Sequence, residues 1–177
     1  MFVANQTFQT LYMIIGIGGV SNSGKSALAK LIMDSFDSGK AVVICQDDFT
    51  LPIDKIRKTG DHIDWESPQS VDFKRYQETL KEASSRYEVV IAEGLMAFHS
   101  SELFDIYDKK IYVTISKSEF VKRKRNDLRW GKEPEWYIEH IWESFLKYGQ
   151  PKNESDILII DGEKTIELPA VLNFLST

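Results

Sequence analysis

The chain has 177 residues, a length typical of one domain that buries a substantial hydrophobic core. Its formal net charge of −5 at pH 7 argues against nucleic acid or an anionic membrane as the main partner. The single cysteine, Cys45, excludes an internal disulfide and favours a reducing compartment. The apolar stretch at residues 11–20 is too short to span a bilayer and follows no basic segment, so we expect a cytoplasmic protein.

Along the chain, short and continuously apolar runs alternate with longer amphipathic segments. Unbroken apolar runs suit the strands of a parallel sheet that is covered on both faces, and the amphipathic segments suit helices. We predict strands at 11–17, 41–45, 89–92, 111–115 and 157–160, and helices at about 25–36, 70–86, 117–130 and 134–148. The alternation indicates an α/β fold with a doubly wound parallel sheet, and residues 1–177 are expected to form one domain.

The first predicted strand leads into the motif G-x-x-x-x-G-K-[ST] at residues 19–26, here called the phosphate loop. Its glycines let backbone N–H groups turn towards phosphate oxygens, and the N-terminus of the following helix adds partial positive charge. In this motif Lys25 reaches the β- and γ-phosphates, and the Ser26 hydroxyl ligates Mg²⁺. We therefore predict that ATP and Mg²⁺ are bound by Gly19, Ser21, Asn22, Ser23, Gly24, Lys25 and Ser26.

Acidic side chains follow the second and third predicted strands. In open α/β sheets ligands bind beyond the carboxyl ends of the strands, so Asp47, Asp48 and Glu93 are expected beside the phosphate loop. A positioned Asp can accept the proton of an attacking hydroxyl, which makes Asp47 the candidate general base and, with Lys25, a candidate catalytic residue. Asp48 could cap or orient the turn. Glu93 is assigned to Mg²⁺, directly or through water, or to the acceptor.

Residues 49–68, here called the acceptor loop, show no clear periodicity, and a loop of this length in a compact domain is usually functional. The loop carries Trp65 between Asp64 and Glu66. An aromatic ring beside carboxylates suits an acceptor with a flat ring and a sugar diol, and a cationic ring would gain cation–π attraction. The alternative is that Trp65 anchors the loop to the core and that both acids are solvated.

A basic segment at residues 122–129 carries Arg125 and Arg129 four residues apart, which the predicted helix places on one face. Arginine side chains can neutralise charge on a transferring phosphoryl group. A run of charge is also typical of a solvated helix face, and the sequence leaves both interpretations open.

Taken together, these motifs resemble the nicotinamide riboside kinases, within the uridine-kinase-like branch of P-loop kinases. The resemblance covers most of the chain, in the segments 15–26, 46–49, 92–94, 122–129, 140–148 and 161–162. The most specific are Gln46-Asp-Asp-Phe49 and the segment His140-Ile-Trp-Glu-Ser-Phe-Leu-Lys-Tyr148. The resemblance implies a three-layer sandwich in which a five-stranded parallel sheet is flanked by helices, which agrees with the apolar runs. It also implies a small lid near residues 120–136, here called the lid segment.

The family phosphorylates the 5′-hydroxyl of nicotinamide riboside with ATP, giving nicotinamide mononucleotide for NAD synthesis. Trp65 and Glu66 match the pair that stacks the pyridinium ring and binds the ribose diol. The family usually has Asp where Glu66 stands, so Asp64 is an alternative ligand for the diol. Arg125 matches an arginine that contacts substrate or phosphate, and Arg129 matches a lid arginine. The residues assigned to the acceptor are Asp47, Phe49, Asp64, Trp65, Glu66, Arg125 and Trp130.

Two other functions remain open at this stage. A kinase of the same fold for uridine, cytidine, pantothenate or another small alcohol would differ mainly in the acceptor loop. A P-loop switch or binding module without an acceptor would need no base after the second strand, where Asp47 stands. The expected partners are ATP and a small riboside, without nucleic acid or membrane, in a monomer or small homo-oligomer.

Overall fold

The computed structural model describes residues 12–129, 131–153 and 155–177. Trp130, one of the predicted acceptor residues, lies outside this part of the chain. The strands are β1 (Met13–Gly19), β2 (Ala41–Cys45), β3 (Lys58–Thr59), β4 (His62–Ile63), β5 (Val89–Gly94), β6 (Lys109–Thr114) and β7 (Ile157–Asp161). The α-helices are α1 (Lys25–Asp34), α2 (Phe73–Ser84), α3 (Ser101–Ile106), α4 (Lys117–Asn126), α5 (Glu135–Tyr148) and α6 (Leu168–Ser176).

Five strands form one sheet in the order β2–β5–β1–β6–β7, and every neighbouring pair is parallel. The register aligns Glu93 of β5 with Cys45 of β2 on one side and with Ile17 of β1 on the other. The carboxyl ends of these strands therefore meet along one edge of the sheet. Helices cover both faces, so the predicted α/β class and the five-stranded parallel sheet are confirmed.

Two hydrophobic clusters lie on opposite faces of the sheet because successive side chains of a strand point in opposite directions. In β1, Ile15 and Ile17 pack towards α1 and α6, whereas Ile14 packs towards α2 and α5. Gly18 faces the same cluster as Ile14, and there the ring of Phe98 fills the space that a side chain at position 18 would need. The small residues of β1 thus allow large aromatic side chains to pack directly on the sheet.

The predicted helix at 117–130 is shorter in the structure, since α4 ends at Asn126. Asp127 is extended, and its carboxylate accepts hydrogen bonds from the backbone N–H and the guanidinium group of Arg129. A short polar side chain that bonds to nearby backbone competes with the helical conformation. The prediction that Arg125 and Arg129 share one helix face is therefore wrong.

The periodicity also missed three smaller features. Helix α3 has only six residues after its N-cap at Ser100, and α6 is largely apolar with a proline in its first turn, so neither shows a long amphipathic pattern. Within the acceptor loop, β3 and β4 form a short antiparallel hairpin that turns at Gly60, where φ is 58°. Across the residues that the structure describes, no helix combines the length and apolar character needed to cross a membrane.

Candidate active site

The phosphate loop joins Gly19, the last residue of β1, to the first turn of α1. Gly24 has a φ of 108°, in the left-handed region that glycine adopts at little cost. The Lys25 side chain is buried, and its Nζ donates to the carbonyl of Val20 at 3.1 Å. The Ser23 hydroxyl is also buried, and its oxygen has no hydrogen-bond partner among the described residues. A glycine-rich turn at a helix N-terminus, with an ammonium group and a free hydroxyl, fits a phosphate.

Ser26 and Glu93, both predicted at the metal site, are brought into direct contact. The Ser26 hydroxyl donates to Glu93 Oε1 at 2.9 Å, and Glu93 is 4% exposed. Glu93 reaches this position because β5 lies between β2 and β1 in the sheet. A hydroxyl paired with a carboxylate is a donor set that suits Mg²⁺, either directly or through its water ligands.

Asp47 lies in the 3-10 turn Gln46–Phe49, directly after β2 and on the same edge of the sheet. Two contacts hold this turn against the rest of the domain. The side-chain oxygen of Gln46 accepts a hydrogen bond from the backbone of Met96 at 2.9 Å. Phe49 is buried with its ring 5.1 Å from that of Tyr76, so it supports the turn from the hydrophobic core.

Charged residues of the phosphate loop and of the candidate metal site surround Asp47. The side chain is accessible to solvent, but partial desolvation raises its pKa, Lys25 lowers it, and Glu93 and Asp48 raise it again. Arg129 also acts on Asp47 and lowers its pKa. The structure therefore places Asp47 within electrostatic range of the phosphate-loop lysine and of the candidate metal ligand. The raised pKa moves this carboxylate towards the range that suits a proton acceptor at neutral pH.

Arg123, which the sequence did not single out, fastens α4 to the phosphate loop. Its guanidinium donates to the carbonyls of Asn22 at 3.1 Å and Gly162 at 2.9 Å, and its Nε donates to Glu119 at 2.8 Å. Only its place in the basic segment, four residues after Glu119, hinted at this role. A cleft of about 400 Å³ opens beside this contact, lined by Asn22, Lys122, Arg123, Asn126, Asp127 and Arg129.

Arg129 lies on the phosphate-loop side of the lid segment. Its guanidinium bonds to both carboxylate oxygens of Asp127, at 2.8 and 2.6 Å. Asp127 also accepts a hydrogen bond from Asn22 Nδ2 at 2.9 Å, and the Ser21 hydroxyl donates to Asn22 Oδ1 at 3.1 Å. The hydrogen bonds from Arg129 hold the pKa of Asp127 well below its usual range, although burial opposes them. This chain of contacts links Arg129 to the nucleotide side of the site.

Arg125 is not brought to the site in this structure. Its side chain is exposed and bonds to the carboxylate of Glu135, with N–O distances between 2.7 and 3.2 Å. The preceding residue, Lys124, is instead only 7% exposed and acts electrostatically on Glu66. The basic residue of α4 that faces the acceptor loop is therefore Lys124. The sequence could not separate these neighbours, because the direction of each side chain depends on how α4 packs.

Glu66 of the acceptor loop interacts electrostatically with Asp47 and Lys25. Burial, with a smaller contribution from the charge of Asp47, raises the pKa of Glu66 to about 7, although Lys124 and Lys25 oppose the shift. Trp65, the residue before it, is 37% exposed, so part of its ring is available to a ligand.

Asp64 differs from Glu66 in its burial and in its hydrogen-bond partners. It is fully buried, and its two carboxylate oxygens bond to Arg57 and His140. Of the two alternatives for the ribose diol, Asp64 already has both oxygens bonded, whereas Glu66 interacts electrostatically with Asp47 and Lys25.

The architecture is that of the P-loop kinases, and solved structures agree. A gluconokinase from Sinorhizobium meliloti 1021 matches with a TM-score of 0.57 and 17% identity, over 94% of this chain and 90% of that one. A deoxyadenosine kinase from M. mycoides matches with a TM-score of 0.55 and 16% identity, over 93% of this chain and 100% of that one. The chain therefore has the fold of these kinases, with the phosphate loop, Asp47 and Glu93 at the expected edge of its sheet.

Comparison of sequences gives a finer result, although no protein-family model matches the chain. Nicotinamide riboside kinase 2 of Mus musculus is 26% identical over 88% of this chain and 90% of that protein. Nicotinamide riboside kinase 1 of Homo sapiens is 26% identical over 87% and 86% of the two chains. The uridine kinase of Saccharomyces cerevisiae is 27% identical over 76% of this chain but only 32% of that protein. The similarity to nicotinamide riboside kinases is confirmed, and so is the predicted enzyme class, a phosphotransferase with an alcohol acceptor.

Proposed function

We propose that the protein transfers the γ-phosphoryl group of ATP to the 5′-hydroxyl of nicotinamide riboside, giving nicotinamide mononucleotide for NAD salvage. The observation that carries this proposal is the convergence of three side chains from distant segments. Glu66 interacts electrostatically with both Asp47 and Lys25, and Asp47 interacts with Lys25. A cation for the donor phosphates, a proton acceptor and a carboxylate for the acceptor therefore lie within electrostatic range of one another. The relatives named nicotinamide riboside kinases support the choice of acceptor.

The donor side fits Mg·ATP. Lys25 would hold the β- and γ-phosphates, and the buried Ser23 hydroxyl supplies a further donor to phosphate. Ser26 and Glu93, which contact each other at 2.9 Å, would hold Mg²⁺ directly or through water. When bound, Mg²⁺ neutralises charge that develops on the transferring phosphoryl group. Arg129, tied to the phosphate loop through Asp127, adds positive charge from the lid segment.

On the acceptor side, Asp47 takes the proton of the 5′-hydroxyl as that oxygen attacks phosphorus. Two features suit it to this step. Desolvation raises its pKa towards the working pH, while the positive charge of Lys25 favours the ionised form that accepts a proton. Because most of the remaining chemistry is positioning and charge stabilisation, one such base is sufficient for transfer to an alcohol.

Trp65 and Glu66 bind the riboside. The partly exposed ring of Trp65 stacks on the pyridinium ring, and the Glu66 carboxylate accepts hydrogen bonds from the ribose diol. The carboxylates of Glu66 and Asp47 also attract a positively charged ring. Lys124 lowers the pKa of Glu66 and so favours its ionised, hydrogen-bond-accepting form.

A coupled assay of ADP release across a panel of acceptors tests the substrate. The panel consists of nicotinamide riboside, nicotinic acid riboside, uridine, cytidine and pantothenate. We expect the highest kcat/KM with nicotinamide riboside. A higher value with uridine or cytidine would overturn the choice of acceptor while leaving the kinase activity intact.

The variant Asp47→Asn separates the kinase from a non-catalytic nucleotide-binding module. It should lower kcat by roughly 10³-fold, in the range of a lost general base, with the affinity for Mg·ATP unchanged in calorimetry. Retained transfer, or loss of ATP binding instead of transfer, would contradict the role of Asp47. A wild-type protein that binds ATP but phosphorylates no member of the panel would favour the binding module.

We further propose that the enzyme works in the cytoplasm, as a monomer or small homo-oligomer, without a nucleic-acid or membrane partner. The net charge of −5 supports the last point, since polyanions and anionic membranes repel an acidic protein.

A further inference from the structure

The acceptor loop contains a buried carboxylate, that of Asp64, which the proposed chemistry does not use. The carboxylate of Asp64 is fully buried, with Oδ2 2.7 Å from Arg57 Nε and Oδ1 2.8 Å from His140 Nε2. Burial alone would raise the pKa of Asp64, but the hydrogen bonds from His140 and Arg57 hold it below its ordinary value. Arg57 belongs to the acceptor loop and His140 to α5, so Asp64 connects the loop to the helix.

The hairpin beside Asp64 is docked on the same part of α5. The Tyr137 hydroxyl donates to the carbonyl of Ile63 at 3.0 Å. The ring of His62 lies 4.9 Å from that of Trp136, edge to face, and 5.2 Å from that of Tyr137. These contacts hold β4 against the first turn of α5, and Asp64 directly follows β4.

The two residues that follow Asp64 are the predicted acceptor ligands, Trp65 and Glu66. Their backbone is fixed on both sides. The N–H of Asp64 donates to the carbonyl of Arg57 at 2.9 Å, and the carbonyl of Trp65 accepts a hydrogen bond from the Ser70 hydroxyl at 2.7 Å. The position of Trp65 and Glu66 therefore depends on the anchorage of Asp64.

We propose that Asp64 is a positioning residue for the acceptor: clamped between Arg57 and His140, it sets the position of Trp65 and Glu66 relative to Asp47. A buried carboxylate contributes little net stability, because the cost of desolvating it offsets much of the attraction to its partners, but directional bonds to both of its oxygens define a geometry. A carboxylate with both oxygens bound fixes the loop on α5 in one register. The proposal rests on the proposed function, since it assigns Trp65 and Glu66 to the acceptor.

The first test compares Asp64→Asn with wild type in steady-state kinetics. Asn keeps the shape of the side chain but loses the charge that both partners face. We expect KM for the acceptor to rise about tenfold or more, as for a lost charge-assisted hydrogen bond, while KM for ATP stays within about twofold. The matched control is Glu139→Gln, which breaks the exposed ion pair between Lys117 and the residue next to His140 on α5. It should leave both KM values unchanged.

Asp64→Asn could also fail to fold, since it leaves Arg57 and His140 without the carboxylate that they bond. Arg57→Met serves as the second variant, because Arg57 is 58% exposed and its removal leaves the bond between Asp64 and His140 in place. It should raise KM for the acceptor severalfold, again without an effect on ATP. Equal increases of both KM values in either variant, or an unchanged KM for the acceptor, would overturn the proposal.

Hydrogen exchange makes the result independent of the identity of the acceptor. In peptides that cover residues 57–66, amide exchange should accelerate in both variants and stay at the wild-type rate in Glu139→Gln. If nicotinamide riboside is not a substrate, the wild-type panel shows it, and the KM comparison is made with the best acceptor found. Accelerated exchange without any change in acceptor KM would show that the clamp is structural only and would refute the positioning role.

Discussion

Replacing Glu66 with Gln should remove a pH dependence that wild type shows near neutrality. Burial and, to a smaller extent, the charge of Asp47 raise the pKa of Glu66 to about 7. The carboxylate therefore changes from neutral to charged between pH 6 and pH 8. Only the charged form attracts a cationic acceptor and accepts hydrogen bonds with both oxygens.

The size of the effect follows from the titration. With a pKa of about 7, roughly 10% of Glu66 is ionised at pH 6 and roughly 90% at pH 8. If acceptor binding needs the ionised form, kcat/KM for the acceptor should rise roughly tenfold across this interval from the titration of Glu66. Asp47 lies within electrostatic range of Glu66 and also titrates. The informative quantity is therefore the ratio of kcat/KM between wild type and Glu66→Gln at each pH.

The assay measures initial rates of ADP release at saturating ATP, with limiting nicotinamide riboside, from pH 6 to pH 8. The ratio of kcat/KM between wild type and Glu66→Gln should grow with pH, and KM for ATP should be the same in both. Glu78→Gln, an exposed change on α2, is the control and should follow wild type. A ratio that stays constant would assign the titration to another group and refute the reasoning about Glu66.

Glu66→Gln, which should weaken acceptor binding at high pH, should instead stabilise the fold there. A carboxylate whose pKa is raised by folding contributes stability that is fully present below its unfolded pKa and is lost as the pH rises through the folded value, here about 7. Glu66→Gln should therefore raise the melting temperature at pH 8 and change it little at pH 5. A melting temperature that falls at pH 8 would contradict the desolvation of Glu66.

Three further substitutions test the remaining parts of the site. Lys25→Met should lower kcat by roughly 10²–10³-fold in the ADP-release assay, as for a deleted charge donor, and a loss below tenfold would contradict its role. Lys124→Met should lower acceptor kcat/KM several-fold at pH 7, because without its charge the pKa of Glu66 rises further, whereas Arg125→Met should stay within about twofold of wild type. Equal losses of acceptor kcat/KM in Lys124→Met and Arg125→Met would show that the buried position of Lys124 gives it no special role. Glu93→Gln should raise the Mg²⁺ concentration for half-maximal activity several-fold, and an unchanged Mg²⁺ titration would remove Glu93 from the metal site.

Much of the donor side could be predicted from the sequence because it is encoded locally. The motif at residues 19–26 sets its own geometry, and the order of apolar runs fixes which segments end at the same edge of a parallel sheet. Asp47 and Glu93 were placed correctly at that edge for this reason. The contact between Ser26 and Glu93 follows from the position of β5 beside β1.

The acceptor side and the lid segment could be predicted less well from the sequence, because they depend on packing between distant segments. The sequence placed Arg125 at the site, but the way α4 packs buries Lys124 within electrostatic range of Glu66 and leaves Arg125 in solvent. It left Asp64 and Glu66 as alternatives for the diol, and both are acids in the same short segment.

By itself, the sequence determined the class of fold, the phosphate loop and the sheet edge that carries Asp47, since each depends on local pattern and strand order. Only the tertiary structure decided which acid of the acceptor loop is held by side-chain hydrogen bonds and which interacts electrostatically with Asp47. His140 lies 76 positions beyond Asp64 and captures its carboxylate, which leaves Glu66 beside Asp47. Such a choice depends on a contact between distant residues, and no local pattern records that contact.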